Sequence, residues 1–420
     1  MQMNVTEKIL ARAAGAASVR PGELVVVKVD TSVLIDSTFY PGNWRPILHV
    51  ADPSRIVVVL DHMVPANEVN SAKAHASARA FVERFGIARF HDVGRDQGIS
   101  HVVVADNAYA LPGTVLLNQD SHTCGAGALN CAARGVGLLD MYYVITKGEA
   151  WFRVGETIRY DLQGELAPNV FAKDIFLYLA GQYGAHINQN VEFGGPGMAT
   201  LNMNARRTVA TMGAELSAEF VMFEPDAVLL DYVRQRSAEP FEAQWPDAGA
   251  QYSARRTIDL SALEPLVALP DAVVNNSARV SEVAGERVHQ AFIGSCANGT
   301  LDDLAVAARI VSGRQVAAGT RFIVTPGSQA IYREALRAGY IATLMEAGAI
   351  VTPATCGACI GGHMGVLGPG ETCITASTRN FKGRMGDLSA RIFMASSATV
   401  AASAIAGTIA DATPYLEAAQ

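Results

Sequence analysis

A chain of 420 residues corresponds to roughly three domains at about 150 residues each, which leaves room for sizeable cores and excludes a disulfide-stapled miniprotein. Half of the residues are hydrophobic, 17% are charged and 38 are Gly, the make-up of a loop-rich α/β enzyme and not of a disordered or collagen-like chain. The formal net charge is -7, with no basic run, so a nucleic-acid partner lacks the electrostatic footprint such binding rests on.

In chain order, Met1 to Leu10 lacks the apolar core of a secretory signal and predicts a short helix ending near Gly15. Ile56 to Leu60 predicts a buried strand, Asn70 to Phe85 a helix, and His101 to Ala105 and Thr114 to Leu117 further strands. A His- or Asp-bearing cluster closely follows these strands, the position where open α/β sheets place ligands. Glu156 to Leu162 predicts a strand of a second unit, with helices near 170–183 and 200–219. The polar, Pro-containing stretch between about 235 and 285 suits a domain-joining region. From Val288 a new α/β unit begins, with a helix at 300–312, a strand at Arg321 to Thr325 and turns at Gly294-Ser295-Cys296 and Pro326-Gly327-Ser328. Ile392 to Ala410 is uncharged, but its serines and threonines among alanines predict a buried helix and not a membrane span. No internal repeat is visible. These boundaries divide the chain into 1–157, 158–284 and 285–420. The expected setting is cytoplasmic, where the six cysteines stay reduced and serve metals or chemistry more often than structure.

The strongest local signal is Cys356-Gly357-Ala358-Cys359 after the apolar run Ala349-Ile350-Val351. Its spacing is open to a thioredoxin-like pair, half a zinc site or part of an iron–sulfur site. Cys296 sits at another strand-to-helix turn, and no second C-x-x-C or suitably spaced His pair completes a zinc site. Three thiolates on two turns suit a cubane cluster with one open iron, a Lewis acid able to pull a hydroxyl from carbon. Spacing alone also leaves Cys296 open to being a small buried residue.

Gly294-Ser295-Cys296-Ala297-Asn298, the Cys356/Cys359 pair, Leu367-Gly368-Pro369-Gly370-Glu371 and Arg379-Asn380-Phe381-Lys382-Gly383-Arg384, in this order, resemble the cluster-binding domain of the aconitase superfamily. Asp61-His62, Asp120-Ser121-His122-Thr123 and Gly213-Ala214-Glu215 resemble that family's active-site segments upstream. Gly361 to Gly368 and Cys124 after His122-Thr123 are similar to its isopropylmalate dehydratase large-subunit branch.

The resemblance implies a three-domain aconitase-like α/β fold, with mixed and parallel sheets flanked by helices around a 4Fe-4S cluster held by Cys296, Cys356 and Cys359. It makes Arg379 and Arg384 carboxylate binders, for which a planar guanidinium is suited. It makes His62, oriented by Asp61, the acid that protonates the departing hydroxyl, and places His101, Asp120, His122 and Glu215 around the hydroxyl and water. Asp120-Ser121-His122 is not a hydrolase triad, since adjacency in sequence does not supply that geometry. The implied reaction isomerises 2-isopropylmalate and 3-isopropylmalate by dehydration and rehydration, as in leucine biosynthesis. Homoaconitate, citramalate or another branched malate stand behind as substrates, and a non-catalytic iron or redox sensor is the alternative from another class.

The chain ends soon after the third domain would close. The resemblance therefore implies a separate small subunit, equivalent to the family's swivelling domain, that supplies the base Ser and further substrate arginines. Cys124, Cys131 and Cys373 are expected to be structural. Four positions depart from the family pattern: Thr211 and Thr378 where Asn is usual beside the cluster, Gln119 before the Asp-Ser-His motif, and Thr300 where isopropylmalate enzymes commonly carry Arg.

Overall fold

The computed structural model describes residues 2–417. Its inner strands come from short apolar, β-branched runs that are buried along their whole length, as in Ile56–Val59 and Val115–Asn118. Such two-sided burial requires helices on both faces and so favours parallel pairing. Thr31–Ile35 lies at the centre of a five-stranded, all-parallel sheet, with Ile56–Val59 and then Arg89–His91 on one side and Val115–Asn118 and then Ala132–Gly135 on the other. A seven-stranded sheet repeats this order about Gln290–Ile293, with Arg321–Val324 and Ile350–Val351 on one side and Thr372–Thr375 and Arg391–Ala395 on the other. Leu266–Ala268 and Ser277–Arg279 extend its edge antiparallel. A third, four-stranded parallel sheet is built from Glu156–Gln163, Gln189–Gly194, Val221–Phe223 and Ala254–Asp259, winding outward from its first strand in the same manner. The winding rule thus recurs three times although no sequence repeat is visible.

This order has a functional consequence. Where consecutive strands leave the central one to opposite sides, their connections separate and open a crevice beyond the carboxyl ends. In the five-stranded sheet the residues at that point are Asp36, Asp61-His62 and Asp120. In the seven-stranded sheet they are Ser295-Cys296, Cys356 and Thr378-Arg379. Hydrogen bonds join the two groups: the Cys356 N–H donates to the Asp61 carbonyl (3.2 Å), and the Thr355 hydroxyl donates to the His62 carbonyl (2.9 Å).

Sequence signals set most element ends. Asn4 and Glu7 form a reciprocal capping box on the helix Val5–Ala14, which stops at the left-handed Gly15. Four expectations change. His101 to Ala105 is part of a buried helix, Ser100–Asp106, because a short apolar run fits a buried helix as well as a strand. The segment from Ile392 begins in the strand Arg391–Ala395, and its helix is confined to Ser397–Ala406. The stretch between 235 and 285 supplies strands to two sheets in addition to connecting them. The helix near 200–219 is shorter, Met203–Met212, and tightens into a 3-10 turn at Gly213–Leu216. Among the described residues, no helix is long and apolar enough to cross a membrane.

Candidate active site

The crevice between the two sheets is a small cavity lined by Asp61, His62, His101, Asp120, His122, Cys296, Cys356, Cys359, Thr378, Arg379 and Arg384. All the residues to which the resemblance gives a catalytic, substrate-binding or ligand role line it except Glu215, which is bonded to two of them. Glu215 Oε1 lies 2.9 Å from His122 Nε2 and accepts from Arg379 Nε at 2.7 Å.

Two carboxylates organise the histidines. Asp61 is buried; one oxygen accepts the Ser100 N–H (2.8 Å), and the other lies 2.8 Å from His62 Nδ1. The pairing leaves His62 Nε2 turned toward the cavity, 3.4 Å from Asp120 Oδ2. Burial alone would lower the basicity of His62, but negative charge on the Cys356 sulfur and the Asp61 and Asp120 carboxylates outweigh it and hold the ring well above its ordinary pKa. Asp120 bonds His101 Nε2 (2.8 Å) and accepts the His122 N–H (2.8 Å). Burial pushes the Asp120 carboxyl upward, yet the neighbouring histidines, His101 foremost, carry it well below the usual range. Glu215 is likewise lowered against the effect of burial, by His122 and then Arg379.

The thiols come from two strained or tight turns. Ser295, directly before Cys296, has φ 81°, a left-handed conformation that costs a non-glycine residue about 1 kcal/mol or more and is held only where the surroundings enforce it. Cys356 caps, and Cys359 lies within, a 3-10 turn that opens at Gly357 (φ 61°), where an added Cβ would sit 3.0 Å from the Thr325 hydroxyl. All six cysteines are free. The mutual contact with Cys356, then the Arg384 guanidinium (Nη2 3.7 Å from Cys359 Sγ), favours a thiolate on Cys359 despite burial. Cys124 and Cys131 are pushed up to about 12 by burial and remain thiols.

This arrangement passes a test for an iron–sulfur group. Three free thiols converge on one cavity, cationic side chains adjoin them, and soft thiolates are the ligands such clusters take. The buried Arg384 Nε has no hydrogen-bond partner among the described residues, so a donor at the cavity wall stands uncommitted.

The structure adds residues that sequence reading missed. Asp36, at the end of the central strand, is buried and accepts the backbone N–H of His62 (3.1 Å) and Met63 (2.8 Å). It occupies the same strand-end position as Asp61 and Asp120, which was the available signal. Ser121 accepts from Arg379 Nη2 (2.7 Å). The departures from the family pattern fall in different surroundings. Thr378 lines the cavity with its hydroxyl 3.9 Å from Cys359 Sγ. Thr211 packs against Gly125, leaving no room for a Cβ there. Gln119 accepts from the Thr38 hydroxyl (2.5 Å). Thr300 caps the helix Leu301–Val311 through Asp303.

The twin crevice, the carboxylate-held histidines and the converging thiols define the class, and comparison with known proteins gives the family. A profile of the aconitase family (aconitate hydratase) matches residues 46–407, so this chain belongs to the aconitase family of hydro-lyases. It is 52% identical to a 3-isopropylmalate dehydratase large subunit of Mycolicibacterium smegmatis, over 98% of this chain and 97% of that one. It is 42% identical to the 3-isopropylmalate dehydratase large subunit of Aquifex aeolicus over 98% and 97% of the two chains. A probable methanogen homoaconitase large subunit of Methanothermobacter thermautotrophicus is 41% identical over 97% of each.

Proposed function

We propose that this chain is the large subunit of an isopropylmalate dehydratase, interconverting 2-isopropylmalate and 3-isopropylmalate by dehydration and rehydration. The observation that carries this reading is the meeting of three free thiols, two guanidinium groups and a carboxylate-held histidine in one cavity between two sheet ends. Relatives named for this enzyme match along nearly the whole chain, and leucine biosynthesis is the setting that reaction implies.

Cys296, Cys356 and Cys359 would hold a 4Fe-4S cluster, whose uncoordinated iron supplies Lewis acidity toward a hydroxyl and its neighbouring carboxylate. The remaining chemistry is assigned to this chain's side chains. Arg384, with its uncommitted Nε, and Arg379, fixed by Glu215 and Ser121, bind substrate carboxylates. His62 presents the Nε2 proton to the departing hydroxyl while Asp61 holds Nδ1 and steadies the ring's charge. Asp120 orients His101 and His122 from one carboxylate, and Glu215 fixes the far nitrogen of His122. Asp36 secures the backbone on which His62 stands. A separate small subunit completes the site with the base Ser that takes the carbon proton and with further arginines. The working compartment is the cytoplasm, and the chain divides into three α/β units built on the five-, four- and seven-stranded sheets, so that Glu156–Gln163 belongs wholly to the second unit and Leu266–Ala268 and Ser277–Arg279 already to the third.

The test is co-expression with a small subunit of this enzyme class, anaerobic purification, and a panel of hydroxy acids followed by the absorbance of the unsaturated product. Turnover of isopropylmalate above homoaconitate and citramalate supports the reading. Turnover of homoaconitate alone would reassign the substrate, and a reversible dithiol without any cluster would replace the hydro-lyase by a redox sensor.

A further inference from the structure

Lys173 is fully buried in the first turn of the helix Ala172–Tyr183, where the helix dipole disfavours a cation. Its Nζ donates to the Ser377 carbonyl (3.1 Å) and lies 3.3 Å from Met212 Sδ. Among the described residues it has no carboxylate partner. Asp174 next to it is committed to the N–H groups of Phe171 (2.8 Å) and Leu266 (2.9 Å). Asp303 exerts the strongest anionic influence on it, but its oxygens bond Asn298, Thr300 and Ser397. The next anionic influences are Cys296, Cys359 and Glu215. Burial, the largest effect, brings the ammonium down to about 8, so it still carries charge at neutral pH. An unpaired buried cation is expensive, and its persistence calls for a compensating negative charge.

We propose that Lys173 is a positioning residue of the thiol cavity. Its fixed charge offsets the negative charge of Cys296, Cys359 and the cluster they hold, while its bond to Ser377 sets the turn that presents Thr378 to Cys359 and Arg379 to Glu215. The inference rests on the cluster reading above and assigns a role to a residue that the dehydration chemistry does not use.

The test compares wild type, Lys173→Gln and Lys173→Met after anaerobic loading with ferrous iron and sulfide. Glutamine keeps a donor for the Ser377 carbonyl without the charge; methionine removes both. Apo Lys173→Gln is expected to melt at or above the apo wild type, because the desolvation cost of the charge disappears. Loaded, both variants are expected to lose cluster absorbance to a chelator about tenfold faster, a factor in keeping with the loss of one buried charge interaction. Their cluster reduction potentials should fall, since a nearby cation favours the more negative reduced form. Wild-type loss rates and potentials in both variants would overturn the inference alone. A melting temperature for apo Lys173→Gln well below that of the apo wild type would overturn it too, marking the lysine as a packing element. A wild-type chain that takes up no cluster would overturn the proposed function and this inference with it.

Discussion

Asp61→Asn tests the proton-delivery geometry with the smallest possible change in shape. The native carboxylate accepts two hydrogen bonds, from the Ser100 N–H and from His62 Nδ1, each at 2.8 Å. An asparagine offers one acceptor oxygen and one NH2 group, so it can satisfy only one of those donors. If its oxygen keeps Ser100, the amide NH2 faces His62 Nδ1 and forces the ring into the tautomer whose Nδ1 is an acceptor, and the charged ring loses its counter-ion. Replacing a bond to a charged acceptor costs about 1.5–3 kcal/mol, which at about 1.4 kcal/mol per tenfold corresponds to roughly 10- to 100-fold. That tautomer keeps the proton on Nε2, but with Nδ1 unable to hold a second proton the ring stays neutral and is a far weaker acid, which removes general-acid catalysis worth about 10²–10⁴-fold. The expected loss in kcat is about 10³- to 10⁴-fold, with unchanged iron and sulfide content and a loss of fold stability no greater than about 3 kcal/mol. Single-turnover product absorbance on the cluster-loaded complex, alongside iron counting, measures both. A kcat within about threefold of wild type, a difference of only ~0.7 kcal/mol, would refute the assignment of His62 as the acid held by Asp61.

The cysteines divide by surroundings: Cys356→Ala should abolish stable cluster loading, while Cys131→Ala, at a thiol that burial pushes up to about 12, should leave iron per chain unchanged. Iron and sulfide analysis of both variants decides this. Arg206 is fully buried, pairs with Asp226 through two bonds (2.7 and 2.5 Å) and donates to the Leu201 and Met198 carbonyls. Arg206→Met should therefore destabilise the fold by about 3–5 kcal/mol in denaturant titration, and a loss below about 1 kcal/mol would contradict the packing argument. His186 is buried against Tyr160 (2.6 Å) and the Gly184 carbonyl (3.0 Å), and burial lowers its pKa below the ordinary 6.5. Below pH 6.5 the unfolded chain takes up a proton that the native chain resists, so stability rises with pH up to that value and falls as the solution is acidified. His186→Gln should remove up to about 1.4 kcal/mol per pH unit of this acid-side slope, read from melting curves between pH 7.5 and 5; an unchanged slope would contradict it.

The strand-end acids Asp61 and Asp120 were legible because each follows an apolar run and has a histidine one or two positions on. Asp36 follows a similar run, but the bulky Phe39-Tyr40 stretch after it carries no histidine, and its role is to hold backbone and not to face the cavity. That role depends on the two-to-three-residue reach from one strand end to the next, which only the sheet order reveals. Lys173 gave no signal for a related reason: a lysine beside an aspartate at a helix start reads as a solvated pair, and only the packing of Met212 and Ser377 over it shows that it is buried. The helix at Ser100–Asp106 was misread because Val102, Val103 and Val104 carry strand propensity, which burial on the first sheet overrides. Thr300 illustrates the reverse case. It stands where isopropylmalate enzymes commonly carry Arg, while its hydroxyl is spent on the cap of the helix that follows Cys296.

The central claim is that three thiols at the meeting of the five- and seven-stranded sheets hold a cluster that activates a hydroxy acid for dehydration by His62. Its most direct test is anaerobic reconstitution of the chain with the proposed small subunit, with iron, sulfide and isopropylmalate turnover measured on one sample. The account predicts about four irons and four sulfides per chain, with turnover that disappears together with the cluster in Cys296→Ala. One tightly held zinc with no visible absorbance, or full turnover and cluster content in Cys296→Ala, would contradict it.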